Sequence, residues 1–158
     1  YFAADTEAEP AKPSGSDQTV CTARFDGLHA LVAEDNQINL EIARTILEQW
    51  GLEVDTASDG AAALLKFKDS PEGGLNIIYM DIQMPVMNGY ESTKAIRACN
   101  RSDAAAIPIV AMTANAFSED VERARSVGMN AHVAKPIDPN EVRRITAELL
   151  FGKGEKHE

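Results

Sequence analysis

Ile77-Ile78-Tyr79-Met80-Asp81-Ile82-Gln83-Met84-Pro85-Val86-Met87-Asn88-Gly89 is the stretch whose reading decides the fold. Its first four residues are a short, unbroken apolar run, as expected of a strand buried on both faces of a parallel sheet. The run delivers one carboxylate, Asp81, at its carboxyl end. In open α/β sheets, sites lie just beyond the carboxyl ends of strands, so an acid there is either a site group or the cap of the following turn. Pro85 ends the extended segment, and Asn88-Gly89 predict a turn before the next helix.

Outward from this strand, short apolar runs alternate with helical patterns. Residues 28–33 predict a first strand that ends at Glu34-Asp35. Ile38, Ile42, Ile46 and Trp50 recur four apart, which predicts a helix over 37–50 with this stripe facing inward, stopped by Gly51. Residues 53–57 are a short second strand, and Asp59-Gly60 open an alanine-rich helix running to about Lys68. A helix from Glu91 to about Asn100 follows the Asp81 strand, with Ile96 facing in. Residues 107–112 are a fourth strand that ends at Thr113, with Pro108 at its start, where a missing N–H is tolerated. Ser118-Glu119-Asp120 open a helix that Gly128 closes. Residues 131–134 are a fifth strand, followed by Lys135-Pro136. Asp138-Pro139-Asn140-Glu141 combine a capping acid, a first-position proline and a third-position glutamate, a strong helix start. Five strands alternating with five helices imply an α/β, doubly wound five-stranded parallel sheet with right-handed crossovers. The expected order is 2-1-3-4-5, the flavodoxin-like arrangement.

The chain has 158 residues and a formal net charge of −10. Its length suits one domain with a proper core. Its acidity argues against nucleic acid or an anionic membrane as a direct partner. No apolar run is long enough to span a bilayer, and no secretory signal pattern appears. Cys21 and Cys99 fit no metal or redox spacing and read as reduced thiols of an intracellular, cytoplasmic protein. The first residue is Tyr1, so the chain is expected to be a fragment of something longer. Residues 1–25, rich in Ala, Pro, Glu, Ser and Asp, read as a mostly unstructured linker; residues 26–151 read as the folded domain, and 152–158 as a flexible tail.

Four of the five strands therefore end in chemically useful groups: Glu34-Asp35, Asp81, Thr113 and Lys135. Packing alone does not explain four such endings at one sheet edge. Two like charges about 4 Å apart repel by roughly 4 kcal/mol at an effective dielectric of about 20, so three clustered carboxylates need a counter-charge. Carboxylate oxygens with water and backbone carbonyls suit Mg²⁺. A carboxylate nucleophile beside a divalent cation, a lysine and a hydroxyl is a site for accepting a phosphoryl group.

Glu34-Asp35-Asn36, the stretch from Met80 to Gly89, Thr113-Ala114-Asn115-Ala116 and Lys135-Pro136 occur in this order on these strand ends. As a set they resemble the response regulator receiver domain over residues 28–150, and in wording the receivers of hybrid sensor histidine kinases. The resemblance implies that Asp81 is the phosphoacceptor, that Asp35 binds Mg²⁺ directly and Glu34 through water, and that the backbone carbonyl of Gln83 is a further ligand. It makes Thr113 the switch hydroxyl and Lys135 the phosphate-binding amine, with a cis Lys135–Pro136 bond. Phosphoryl would come from a phosphohistidine-bearing kinase or phosphotransfer domain, in a bacterial two-component system; the chain itself would be a monomer or weak dimer, not a stand-alone turnover enzyme.

Three residues before the lysine, where receivers often carry Tyr or Phe, this chain has His132. The expectation is that His132 reports the state of Thr113 through a hydrogen bond rather than by ring burial, against the plainer reading of a partly exposed strand-end histidine. Three other readings compete. A Mg²⁺-dependent aspartyl-phosphate phosphatase or phosphotransferase wants an acid two residues after the nucleophile, where Gln83 stands. A flavin or nucleotide carrier wants a Gly- or Ser/Thr-rich loop after strand one, where Glu34-Asp35-Asn36 stand. A degenerate docking receiver would not need the intact residue set.

Overall fold

The computed structural model describes residues 25–114, 118–135 and 137–151. Five strands, β1 (His29–Ala33), β2 (Glu53–Ala57), β3 (Ile77–Asp81), β4 (Ile109–Thr113) and β5 (Ala131–Ala134), alternate with five helices. These are α1 (Gln37–Gln49), α2 (Gly60–Asp69), α3 (Gly89–Arg97), α4 (Ser118–Val127) and α5 (Pro139–Phe151). All pairings are parallel, and the sheet order is β2-β1-β3-β4-β5, as the alternation implied.

Strand periodicity divides the core into two layers. Leu31, Ile78, Met80, Ile109 and Ala111 face one way, onto a cluster that includes Phe67, Ile96 and Ala124. Val32, Ile77, Tyr79, Val110 and Met112 face the other way, onto Leu40, Leu47 and Val142. Tyr79 stands in the apolar run because its phenol is satisfied: it hydrogen-bonds the Thr146 hydroxyl inside the second layer. Burial pushes the Tyr79 phenol well above its ordinary pKa. Phe25, at the end of the segment read as linker, belongs to this layer. It is buried edge-on to Trp50 and donates its N–H to the Trp50 carbonyl at 2.9 Å.

Two sequence expectations need correction. In α1 the buried residues are Leu40, Ala43 and Leu47. Of the expected stripe, Trp50 is buried at the helix end and Ile46 packs on the same layer, whereas Ile38 and Ile42 are 72% and 47% exposed. Both rows are apolar at i, i+3 or i, i+4 spacing; packing against β1 and β2 selects Leu40, Ala43 and Leu47. The α3 helix begins at Gly89, not Glu91. Asn88 is not part of a separate turn before the helix but its cap, in a capping box with Glu91. Gly89 is required for space rather than for a left-handed backbone. A Cβ there would lie 2.3 Å from the Asp81 carbonyl oxygen, so α3 starts directly against the end of β3.

The remaining helix starts follow their caps. Asn36 accepts from Asn39 N–H, Asp59 from Ala62 N–H, and Asp138 from Asn140 N–H. The side chains of Ser118, Glu119 and Asp120 at the start of α4, and Pro136 with its peptide bond to Lys135, lie outside the described residues.

Candidate functional site

Register places the strand-end groups together. Ala33 pairs with Met80, so Glu34 leaves β1 beside Asp81, the last residue of β3. Asp81 pairs with Met112, and Thr113 follows at the end of β4. Thr113 pairs with Ala134, and Lys135 follows at the end of β5, its N–H donating to the Thr113 carbonyl at 2.8 Å. Carboxylate oxygens of Glu34, Asp35 and Asp81 all lie within 4.8 Å of one another.

The three acids differ in setting. Glu34 and Asp81 are each 2% exposed, whereas Asp35 is exposed. Lys135 Nζ lies 3.2 Å from Glu34 Oε1 and 3.2 Å from Asp81 Oδ2, bridging the two buried acids. The Gln83 backbone N–H donates to Asp81 Oδ1 at 3.2 Å, and the Asn36 N–H to Glu34 Oε2 at 3.1 Å.

These contacts do not neutralise the cluster. Burial first, and then the charge and hydrogen bonding of Glu34, push the Asp81 carboxyl up to about 7 against the pull of Lys135. Burial alone would lower the Lys135 amine; the charges of Asp81 and Glu34 outweigh it and raise the amine above its ordinary value. Three oxygen-donor acids, two of them buried and short of positive charge, are chemically suited to a hard divalent cation.

An open cleft of about 720 Å³ runs over this edge, lined by Asp35, Gln83, Tyr90, Thr113 and Arg123 among others. The sequence reading did not find Arg123. Its guanidinium carbon lies 4.5 Å from the centre of the Tyr90 ring, joining α4 to the start of α3 across the cleft. Helical spacing within α4 could not reveal this, because the contact depends on how α4 packs against α3. His132 is half-buried, paired with Ala111 and facing a small recess lined by Val121, Ala124, Arg125 and Met129. It is not among the residues lining the cleft. His29 sits at the surface, 3.7 Å from Glu53, and Cys99 is a free thiol.

With this arrangement of strand ends in view, comparison with known proteins is decisive: the response regulator receiver domain family matches residues 30–147. The chain belongs to that family. A rice protein described as probable histidine kinase 2 is 37% identical over 139 residues, covering 81% of this chain. A hybrid signal transduction histidine kinase of Dictyostelium discoideum is 40% identical over 111 residues, covering 69% of this chain. The chain spans only 13% of the rice protein and 6% of the Dictyostelium protein. These relatives are eukaryotic, so they do not carry the bacterial setting expected from the resemblance. Among solved structures, the receiver domain of a sensor histidine kinase from Pseudomonas aeruginosa is similar at 33% identity with a TM-score of 0.71. That match covers 79% of this chain and 98% of that one, which holds a magnesium ion in its active-site cleft. A yeast receiver domain crystallised with a histidine phosphotransfer protein is 28% identical, with a TM-score of 0.71, covering 80% of this chain and 91% of that one. This receiver is thus a module of two-component phosphorelay signalling, homologous to those of hybrid histidine kinases. No helix among its described residues is long and apolar enough to cross a membrane.

Proposed function

We propose that Asp81 is the phosphoacceptor of this receiver and that phosphorylation changes the environment of Thr113 and His132. The observation that carries the reading is the Asp81 carboxylate itself, buried at the end of β3 between Glu34 and Lys135 with its pKa pushed up to about 7. An Asp81 oxygen attacks the phosphorus of a phosphohistidine. The P–O bond forms as the P–N bond breaks, and the imidazole leaves with the bonding electron pair and takes up a proton.

Asp35 and Asp81 would hold Mg²⁺ directly, Glu34 through water and Gln83 through its backbone carbonyl. Held there, the cation would supply charge neutralisation for the phosphoryl oxygens. Lys135, already 3.2 Å from Asp81, balances charge on the other side, and the Thr113 hydroxyl at the neighbouring strand end donates to a phosphoryl oxygen. His132 faces α4 residues from the strand that Thr113 pairs with, so a shift of Thr113 reaches its ring through β5. Superimposable ring resonances of His132 with and without beryllofluoride would remove it from the switch.

The donor is a phosphohistidine-bearing kinase or phosphotransfer domain, and the parent chain is a cytoplasmic or membrane-anchored hybrid sensor histidine kinase. Support comes from exposed apolar residues next to the site: Ile38, three residues after Asp35, Ile42 one turn on, and Val86, five residues after Asp81, which is 83% exposed. Val86 holds a left-handed backbone (φ 68°), an uncommon conformation for a β-branched residue and a strained one beside the acceptor. Incubation with a ³²P-labelled histidine phosphotransfer protein should move label to this chain. Ile38→Glu should slow that transfer while leaving labelling by acetyl phosphate intact; equal transfer to wild type and Asp81→Asn would refute the assignment.

A further inference from the structure

We propose that Arg123 is the cation that balances the phosphoryl group in the cleft, held in position by stacking on Tyr90. The inference rests on Asp81 being the acceptor. Three carboxylates, Glu34, Asp35 and Asp81, cluster at the strand ends, and Lys135 bridges Glu34 and Asp81. With a divalent cation bound, that cation and Lys135 together balance the three acids. Phosphorylation then exchanges the single charge of Asp81 for the two of an acyl phosphate, leaving one negative charge over.

Among the described residues lining the cleft, Arg123 is the one cation, on the same wall system as Asp35, Gln83 and Thr113. Its side chain is exposed, but it is not free to wander: the guanidinium stacks 4.5 Å from the centre of the Tyr90 ring, and Tyr90 is only 6% exposed and packed in the core. Stacking on a ring face leaves the guanidinium N–H edge available to hydrogen-bond an anion. Tyr90 follows Gly89, whose close packing on Asp81 ties the ring to the acceptor strand, so the stack fixes Arg123 relative to the reacting carboxylate. Arg123, sharing the cleft with Asp35, therefore opposes metal binding in the resting protein by adding positive charge there, and favours the phosphoryl group once the metal is in place. A residue that merely pinned α4 to α3 would not act with opposite signs on a cation and an anion.

The test uses the full 158-residue chain. Mg²⁺ affinity is measured by calorimetric titration with the metal alone, and the initial rate of labelling by acetyl phosphate at saturating Mg²⁺ by intact mass. Arg123→Ala should bind Mg²⁺ about two- to fivefold more tightly and label about two- to fivefold more slowly, the range expected of a screened charge at a partly exposed site. Arg123→Lys keeps the charge but loses the planar stack, so it should move both quantities back toward wild type without reaching it. Raising ionic strength should shrink both differences, since the Debye length falls to about 3 Å at 1 M salt. If Arg123→Ala changes neither quantity, weakens both together, or is not partly restored by lysine, the proposal fails. Asp81→Asn separates this from the acceptor assignment: label persisting there overturns the acceptor itself, whatever Arg123 does.

Discussion

At the amino-terminal end of the sheet, Arg101 donates to the carbonyls of Phe67, Ser70 and Pro71 and forks onto Asp103, whose carboxylate also accepts the Gly73 N–H. The hydrogen bond from Arg101 holds the Asp103 carboxyl below its ordinary range. At the carboxyl-terminal end, Glu34, Asp35 and Asp81 crowd together, and Asp81 is pushed the other way, up to about 7. One fold thus carries two charge clusters with opposite consequences. The first satisfies donors and acceptors in place, caps the end of α2 and closes the loop into β3. The second is left short of positive charge, as suits a site completed by a bound cation. Stability and function sit at opposite ends of the same strands.

The largest effect is expected where the backbone packs directly against the second cluster. Gly89→Ala would drive a Cβ to 2.3 Å from the Asp81 carbonyl oxygen, a backbone atom that cannot swing aside. Denaturant unfolding should show a loss of about 3 kcal/mol, at the upper end of overpacking costs. Phosphoryl labelling should fall with it, because Asp81 must shift.

Arg101→Ala should lower the melting temperature clearly, since several carbonyls and Asp103 lose their donor at once, while the rate of labelling by acetyl phosphate stays near wild type. A comparable loss of labelling would mean the two ends are coupled rather than separate.

At the site, removing charge should act in the reverse sense. Metal-free Asp81→Asn should gain about 1 kcal/mol at pH 8, because the buried acid no longer has to ionise beside Glu34. Asp35→Ala should raise metal-free stability by less, since Asp35 is exposed, while losing Mg²⁺ affinity. A marked destabilisation by either would contradict the reading of the cluster as electrostatically unsatisfied.

The same Asp81 ionisation should appear as a pH slope. Burial and the neighbouring Glu34 push the folded carboxyl of Asp81 up to about 7, against 3.8 for an ordinary aspartate, so the folded state keeps a proton that the unfolded chain has already lost. That contribution is fully present below about pH 4 and is lost as pH rises through about 7; metal-free stability should therefore decline over this window. Saturating Mg²⁺ or Asp81→Asn should flatten the slope, which unfolding series at several pH values would show.

Much of this was legible in the sequence, for physical reasons. Strands buried on both faces show as unbroken apolar runs, and Asp59 and Asp138 announce the helices they cap. The site residues could be read because each stands at a strand's carboxyl end, where the sheet itself brings them together. The inward face of α1 could not be read, because Ile38-Ile42 and Leu40-Ala43-Leu47 are both plausible apolar rows and only docking on the sheet chooses between them. Asn88-Gly89 read as a turn because the dipeptide is common there; its real constraint, the approach of Gly89 to Asp81, is a tertiary one. Arg123 was invisible for the same reason: nothing in α4 alone says that it will meet Tyr90.

The central claim is tested most directly by intact mass after incubation with acetyl phosphate. Wild-type chain should gain the mass of one phosphoryl group with Mg²⁺ and little without it, and Asp81→Asn should gain none. Equal gain by Asp81→Asn, or full gain by wild type after chelation of the metal, would contradict the account.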